Sequence, residues 1–419
     1  MTLLLVASVG GSPAPIVSAL RDRRPDFVLF VATEGVPPRR GSANEIPAIL
    51  EMVGRADLAY EILIVPPDDP EKIFLDLRET LRALRARFPA ADLLFDYTGG
   101  TKSMTSALFQ CALATPDAEL QFMTGRRDTL QTVTDGTERP SRIPVDWLLA
   151  ERTEERLRAA WGTYSYGECA RGARRLLEDL GTDEKAPREV RDRLRDLGNA
   201  AEALDDWDRF AHEAAAKKLS ALAPRHPSLA SFAAQAALCG REESARLFDL
   251  WHNAERRAAR GRYDDAIARC YRLVEATGQW QLRRDRIDPD KLDWTRIDTS
   301  VATSAGIEDR RGQKVLSGLM QTLKLAAALR PGGYVGKFLT SPYPGQKDKN
   351  GERRLRDMLD MRNHSILAHG TKALTSDDWG KWSEFVRYWR QSMLLPLVRE
   401  TGLAASEPEQ LPNKPPPTL

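Results

Sequence analysis

The stretch Leu93-Leu94-Phe95-Asp96-Tyr97-Thr98-Gly99-Gly100-Thr101-Lys102-Ser103-Met104 decides how the first third of the chain folds. It opens with an apolar run, turns at two glycines and continues into a segment with helical spacing that reaches Ala114. This order predicts a β-strand, a tight loop and an α-helix. Glycines let a backbone approach a phosphate, the first amides of a helix donate to it, and Lys102 adds a positive charge. The stretch therefore indicates a loop for an anionic ligand, although a tight turn with a solvated lysine has the same pattern.

Apolar runs and helical segments alternate on both sides of this stretch. Strands are predicted at Leu3–Ala7, Phe27–Val31, Ile62–Val65 and Leu93–Tyr97, with an antiparallel edge hairpin at Leu120–Met123 and Leu130–Val133. Helices are predicted at Pro13–Arg21, Asn44–Gly54, Pro70–Phe88 and Thr101–Ala114. This alternation predicts a mostly parallel, doubly wound, Rossmann-like α/β sheet over residues 1–146. Such sheets bind ligands at the carboxyl ends of their strands.

A second glycine loop, Ser8-Val9-Gly10-Gly11-Ser12, follows the first predicted strand. Neither loop has the glycine spacing of a dinucleotide or nucleoside triphosphate loop. Asp96–Met104 instead resembles the signature of CARF domains, the Rossmann-like sensors of CRISPR systems, and Gly10–Pro13 resembles the other ligand loop of that family. The resemblance implies that a homodimer binds a cyclic oligoadenylate across its two-fold axis. It places these residues around that ligand: Gly10, Gly11, Ser12, Thr98, Gly99, Gly100, Thr101 and Lys102, with Thr33, Glu34 and Arg126 also at strand ends.

The remainder of the chain has helical spacing. We expect a helical connector over residues 147–245, an all-α domain over residues 246–403 and a disordered, Pro-rich tail over residues 404–419. Within the all-α domain, a helix is predicted at Ile307–Leu329 and a loop at Pro331–Gly351, a candidate for a flap.

The overall composition excludes several classes of protein. The 62 basic and 60 acidic residues give a net charge of +2, which argues against a generally basic surface but permits a local nucleic-acid site. Four widely spaced cysteines show no metal-binding spacing and predict reduced thiols. No apolar segment is long enough to span a membrane, so we expect a cytoplasmic protein.

The chemistry is predicted in Arg362-Asn363-His364-Ser365-Ile366-Leu367-Ala368-His369-Gly370. If one helix continues through this stretch, Arg362 and His369 are separated by about 20° around the helix and about 10 Å along it, and Gly370 caps its end. An Arg, a His and an amide on one face can cleave RNA without a metal, because the ribose 2′-hydroxyl is the nucleophile. Alternatively, Arg362 pairs with a surface carboxylate and the histidine only caps the helix.

This stretch resembles the R-x(4–6)-H motif of HEPN ribonucleases. The run Asn253–Glu275 is also similar to the HEPN part of type III CRISPR-associated CARF–HEPN ribonucleases. The resemblance implies a homodimer with a composite site that cleaves single-stranded RNA and leaves 2′,3′-cyclic phosphate ends. In this composite site the resemblance makes His369 the general acid and base, Arg362 the residue that stabilises the phosphate, and Asn363 a positioning hydrogen-bond donor. His364 is expected to be a packing or accessory residue. No cluster of ligands with metal-binding spacing accompanies the motif, so no metal is expected.

Two other functions remain open at this level. The amino-terminal domain could itself cleave the cyclic oligoadenylate, with Ser12, Thr98 and Lys102 nearest to that chemistry. The chain could also be a non-enzymatic ligand-sensing regulator with an inactive carboxyl-terminal domain. The presence of an Arg, an Asn and a His together in one motif favours an active ribonuclease, switched on by the cyclic oligoadenylate.

Overall fold

The computed structural model describes residues 2–35, 40–115, 118–126, 137, 139–143, 145–181, 186–307, 318–402 and 407–419. Contacts divide the chain into two compact units. The first comprises Met1–Thr153 and Asp179–Arg191, and the second comprises Glu154–Glu178 and Asp192–Leu419. Among the described residues, no helix combines the length and apolar character that a membrane span needs.

The first unit contains a six-stranded sheet in the order β3-β2-β1-β4-β5-β6. Its strands are β1 (Leu3–Ser8), β2 (Phe27–Ala32), β3 (Ala59–Ile64), β4 (Asp92–Asp96), β5 (Glu119–Thr124) and β6 (Arg139–Ile143). The first five are parallel and β6 is antiparallel to β5. The connecting helices are α1 (Ala14–Arg23), α2 (Ile46–Val53), α3 (Pro70–Arg87) and α4 (Lys102–Leu113). The predicted fold class of this region is confirmed.

Apolar side chains cover both faces of the sheet, because strands of a doubly wound sheet are buried on both sides. Every residue of β2 is buried, and one apolar cluster lies on each face. The register places Ala7 of β1 opposite Asp96 of β4, so the loops that follow these two strands begin side by side.

The predicted edge hairpin differs from the structure in its second strand. The antiparallel partner of β5 is β6, and its register runs from Leu120 opposite Ile143 to Thr124 opposite Arg139. The predicted strand Leu130–Val133 lies outside the described residues.

After β6, the regular secondary structure of the described residues is helical apart from one short hairpin, in agreement with the predicted fold class. The helices are α5 (Val145–Gly162), α6 (Tyr166–Leu180), α7 (Arg188–Asp208), α8 (His212–Leu222), α9 (Leu229–Arg241), α10 (Glu243–Ala259), α11 (Tyr263–Arg284), α12 (Thr299–Ser304), α13 (Leu319–Leu329), α14 (Tyr334–Thr340), α15 (Gly351–Asn363), α16 (Ser376–Trp389) and α17 (Leu395–Glu400). A π-helical segment, Arg390–Leu394, joins α16 to α17. The hairpin consists of β7 (Pro342–Tyr343) and β8 (Gln346–Asn350).

Two apolar cores stabilise these helices. One is formed by side chains from α5 to α9, and the other by side chains from α10 to α17. The aromatic stripe of α16 lies in the second core, where Trp382, Phe385 and Trp389 are fully buried. This burial makes the stripe part of the core and leaves these three rings unavailable for stacking on bases.

Of two predictions for the segment before α15, the first is confirmed in part and the second is wrong. The expected helix at Ile307–Leu329 is helical only from Leu319 among its described residues, after Gly318 with φ of 92°. The expected loop at Pro331–Gly351 contains α14 and the β7–β8 hairpin. Tyr343 anchors this segment, because its buried ring packs against Phe385. The aromatic anchor makes this segment part of the core and not a flap.

The carboxyl-terminal tail, expected to be disordered, is packed in the structure over residues 407–419. Leu411 and Leu419 are 1% and 2% exposed. The indole nitrogen of Trp161 donates a 2.8 Å hydrogen bond to the carbonyl oxygen of Pro412. Burial of these two leucines therefore stabilises the packed tail despite its polar, Pro-rich composition.

Candidate functional site

The two glycine loops touch each other through their backbones. The hydroxyl of Ser8 donates a 2.6 Å hydrogen bond to the carbonyl oxygen of Gly99. A Cβ atom on Gly99 would lie 2.6 Å from the carbonyl oxygen of Ser8, and one on Gly10 would lie 2.8 Å from the amide nitrogen of Gly100. These distances leave no room for a side chain at either glycine. The structure thus brings together the two loops that the sequence singled out.

Thr98 and Thr101 use their hydroxyl groups within the loop. The Thr98 hydroxyl donates to Asp96 at 2.5 Å and accepts from the amide of Met123 at 2.7 Å. The Thr101 hydroxyl donates to the carbonyl oxygen of Pro67 and caps the first turn of α4 by accepting from the amide of Met104. Both threonines, predicted as ligand contacts, therefore shape the loop with these side-chain groups.

Other predicted ligand residues are open to solvent. Gly11, Ser12, Gly100 and Lys102 are exposed, and Lys102 is the first residue of α4. Gly100 has a φ of 89°, which a residue with a side chain rarely adopts. The loop thus offers backbone amides, a helix amino terminus and a positive charge to an anionic ligand.

Asp96 is a site residue that the sequence prediction did not include. Its buried carboxylate accepts hydrogen bonds from the amide of Thr98 at 3.0 Å and from the side-chain nitrogen of Gln121 at 2.9 Å. Arg23 in turn donates to the Gln121 side-chain oxygen at 2.9 Å. Burial raises the pKa of Asp96, while the hydrogen bonds from Thr98 and Gln121 oppose that rise. An Asp two residues before a turn is a typical Asx-turn signal, and it could have been found in the sequence.

The R-x6-H motif lies at the end of α15. The helix ends at Asn363, and His364 is its C-cap, so the expectation that Arg362 and His369 share one helix is wrong. The chain turns back instead, and the amide of His369 donates to the carbonyl oxygen of Asn363 at 3.1 Å. Gly370 packs on the turn, because a Cβ atom there would lie 2.0 Å from the carbonyl oxygen of His364. Gly370 is therefore required by close packing and not as a helix cap.

Arg362 is held from two sides. Its guanidinium donates to the side-chain oxygen of Asn363 at 3.3 Å. The guanidinium carbon also lies 4.5 Å from the ring centroid of Tyr271 on α11. The Nε atom is buried and has no hydrogen-bond partner among the described residues. The expected alternative, a surface ion pair between Arg362 and a carboxylate, is absent from the part of the chain that the structure describes.

Both histidines of the motif, His364 and His369, are exposed. Nδ1 of His364 donates to the carbonyl oxygen of Asp360 at 2.8 Å, on the last turn of α15. His364 also borders an open groove of about 590 Å³ that includes Asp360, Lys372 and Lys381. The turn additionally exposes Ile366. The arrangement places a cation, an amide and an imidazole on one short solvent-accessible segment, which suits acid–base chemistry on a phosphodiester.

One buried group, with residues on α8, α9 and α10, has the composition of a metal site. Ligand atoms of His212, Cys239 and Asp249 lie within 4.8 Å of one another. However, Asp249 already accepts hydrogen bonds from His212 at 2.9 Å and Trp207 at 3.0 Å, and it pairs with the buried Arg256 at 3.2 Å. The guanidinium supplies the positive charge that a metal ion would bring. We therefore interpret this group as a hydrogen-bonded core network.

Comparison with known families identifies the helical part of the chain that contains the R-x6-H motif. Residues 238–392, which include the motif and helices α10 to α16, match the family model described as the Csm6 HEPN domain. This part of the chain therefore belongs to the Csm6 HEPN domain family. A search of curated protein sequences gave no match.

A solved structure supports the assignment of the fold over nearly the whole chain. Enterococcus italicus Csm6 bound to cyclic hexa-2′-fluoro-hexa-dAMP superimposes with a TM-score of 0.61 at 14% sequence identity. The match covers 96% of this chain and 95% of the Enterococcus chain. The likeness therefore includes the sheet domain, the connector and the HEPN part.

Proposed function

We propose that this CARF–HEPN protein is a homodimeric endoribonuclease that a cyclic oligoadenylate activates. The observation that carries the proposal is the turn closed by the Asn363–His369 hydrogen bond in a HEPN domain, because it gathers Arg362, Asn363 and His369 on one exposed segment. The bound ligand named for the Enterococcus protein supports a cyclic oligoadenylate as the activator.

The proposed reaction needs only groups of the protein and the RNA. The ribose 2′-oxygen attacks the adjacent phosphorus while His369 removes its proton. The bond from phosphorus to the 5′-oxygen breaks, and an imidazolium returns a proton to that oxygen. Arg362 stabilises the charge on the phosphate oxygens, and Asn363 orients Arg362. The products are a 2′,3′-cyclic phosphate and a 5′-hydroxyl, and the step proceeds without a metal.

The glycine loops supply the proposed activator site. A ring of phosphodiesters carries one negative charge per nucleotide, which Lys102 and the first amides of α4 attract. A ligand with repeated units can contact the same loops of two copies across a two-fold axis. Its binding would favour the arrangement in which the two R-x6-H segments form one active site.

The test is cleavage of labelled single-stranded RNA in EDTA, with and without cyclic tetra- or hexa-adenylate. We expect cleavage by the wild type only with the ring, and none by His369→Ala. The matched control is His364→Ala, which removes the neighbouring exposed imidazole and should remain active. Intact RNA under every activator would overturn the proposal. So would an equally active His369→Ala variant.

The same samples test the ring-nuclease alternative. The Thr98 hydroxyl donates to Asp96 and accepts from the amide of Met123, so its hydrogen and one of its lone pairs are engaged within the loop. Chromatography of the recovered cyclic oligoadenylate would show whether it is consumed. Consumption without RNA cleavage would move the activity to the glycine loops.

A further inference from the structure

We propose that Tyr271 is a positioning residue for Arg362, so that the face of its ring orients the guanidinium toward the scissile phosphate. The inference rests on the proposed ribonuclease function. Tyr271 lies on α11, which packs against α15, the helix that carries Arg362. The two residues are 91 positions apart in the sequence, and the fold alone brings them together.

The geometry of this contact is close. The guanidinium carbon of Arg362 is 4.5 Å from the ring centroid, whereas the other cation–π contacts among the described residues measure 5.3–5.9 Å. A cation within about 6 Å of an aromatic ring centroid is attracted by the electrons of its face. The contact therefore orients the planar guanidinium as well as attracting it.

The chemical nature of the partner matters as much as the distance. A carboxylate would hold Arg362 firmly, but it would also neutralise the charge that a phosphate needs. The structure pairs Arg362 with no carboxylate among the described residues. A neutral aromatic ring and the amide of Asn363 hold the side chain and leave its charge available.

Tyr271 is itself fixed and stays neutral. Its hydroxyl donates to Glu275 at 3.4 Å, and Glu275 accepts a second bond from Arg272 at 2.7 Å. Burial raises the pKa of Tyr271, and the charge of Glu275 raises it further. The phenol therefore remains protonated at neutral pH, and the ring interacts with Arg362 through its face rather than as an anion.

The test compares Tyr271→Leu with Tyr271→Phe. Leucine is apolar but has no aromatic face. We expect kcat for RNA cleavage to fall about tenfold or more with little change in KM, because a misplaced guanidinium weakens contacts in the transition state. Phenylalanine keeps the face and should stay within about threefold of the wild type. The matched control is Tyr334→Leu, which removes another tyrosine ring of the same domain. Lys337 lies 5.8 Å from the centroid of that ring, farther than the 4.5 Å between Arg362 and Tyr271. This control should leave kcat unchanged.

A double-mutant cycle separates positioning from general stabilisation. In an Arg362→Lys background the planar guanidinium is gone, so Tyr271→Leu should cost far less than it does in the wild type. An equal loss in both backgrounds, or a loss shared by Tyr334→Leu, would overturn the inference. If the wild type is active and Tyr271→Leu has the same kcat, the inference is overturned while the ribonuclease function stands. A wild type without ribonuclease activity would overturn both the proposed function and the positioning role of Tyr271.

Discussion

The backbone amide of His369 donates a hydrogen bond to the carbonyl oxygen of Asn363 at 3.1 Å. This bond turns the chain away from the axis of α15 directly after Arg362 and Asn363. The position of the imidazole is therefore set by a backbone turn and not by the face of a helix. Under the proposed ribonuclease function, changes that open the turn should displace His369 and lower RNA cleavage even where Arg362, Asn363 and His369 are not themselves substituted.

Gly370→Ala tests this dependence directly. The new Cβ atom would lie 2.0 Å from the carbonyl oxygen of His364, which is backbone and cannot rotate away. We expect RNA cleavage to fall about tenfold or more because His369 is displaced. The free energy of unfolding should fall by about 1–3 kcal/mol, as for other overpacked sites. RNA cleavage and urea titration measure the two effects.

Gly380→Ala is the control for this change. Gly380 lies within α16, and a Cβ atom there would meet nothing within 4 Å. The substitution should stabilise the protein by about 0.5–1 kcal/mol, since alanine favours a helix interior over glycine. Full activity in both variants would contradict the role assigned to the turn.

Gly99→Ala should weaken binding of the cyclic oligoadenylate. Its Cβ atom would lie 2.6 Å from the carbonyl oxygen of Ser8 and would separate the two loops. We expect about tenfold weaker binding by calorimetry and a lower melting temperature, because the backbones must move apart. Gly11→Ala, whose Cβ atom would enter open space, should keep the melting temperature of the wild type. Equal melting temperatures for both variants would contradict the loop contact.

Asp249→Asn should alter how stability depends on pH. Burial raises the pKa of Asp249, but Arg256 and His212 outweigh burial and hold that pKa below its ordinary value. A lowered carboxyl pKa stabilises the folded state above the unfolded value, about 3.9, and this contribution disappears as the pH falls through the folded pKa. The wild type should therefore lose more free energy of unfolding than the variant between about pH 5 and pH 3.

At neutral pH the free energy of unfolding of the same variant should fall by about 3 kcal/mol, because the buried Arg256 loses one of its two carboxylate partners and keeps only Asp208 among the described residues. Asp290→Asn is the matched control, since Asp290 pairs with Arg283 at 3.6 Å on the exposed surface. Surface ion pairs contribute little, so urea titration of this control should resemble the wild type. Parallel pH profiles for wild type and Asp249→Asn would contradict the account.

Leu411→Ala tests whether the tail is packed. The leucine is 1% exposed, and its truncation should cost about 2–3 kcal/mol if the surrounding core cannot close the cavity. Limited proteolysis should then cut residues 407–419 faster than in the wild type. Lys414→Ala, at an exposed position of the same tail, should leave the rate of proteolysis unchanged. Rapid cleavage of the wild-type tail would instead support disorder.

The sequence predicted the sheet well because its signals are local. Continuous apolar runs specify buried parallel strands, and the Gly99-Gly100 turn specifies where one of them ends. The end of α15 carries no such signal, since no residue from Arg362 to His369 breaks a helix. That turn is decided by backbone packing between His364 and Gly370.

Long-range contacts explain the other differences. The composition of the tail predicts disorder, but Leu411 and the hydrogen bond from Trp161 to Pro412 depend on helices more than 150 residues away. The contact between Tyr271 and Arg362 likewise arises only from the packing of α11 on α15. Composition and periodicity contain no information on such pairs.

The close contact between the glycine loops restricts which substitutions either loop can accept independently of the other. A side chain acquired at Gly99 would be tolerated only if the chain near Ser8 and Gly10 moved at the same time. Substitutions at these positions should therefore appear in relatives as matched pairs and rarely singly. These backbone contacts therefore couple the substitutions that can be tolerated in two segments some ninety residues apart.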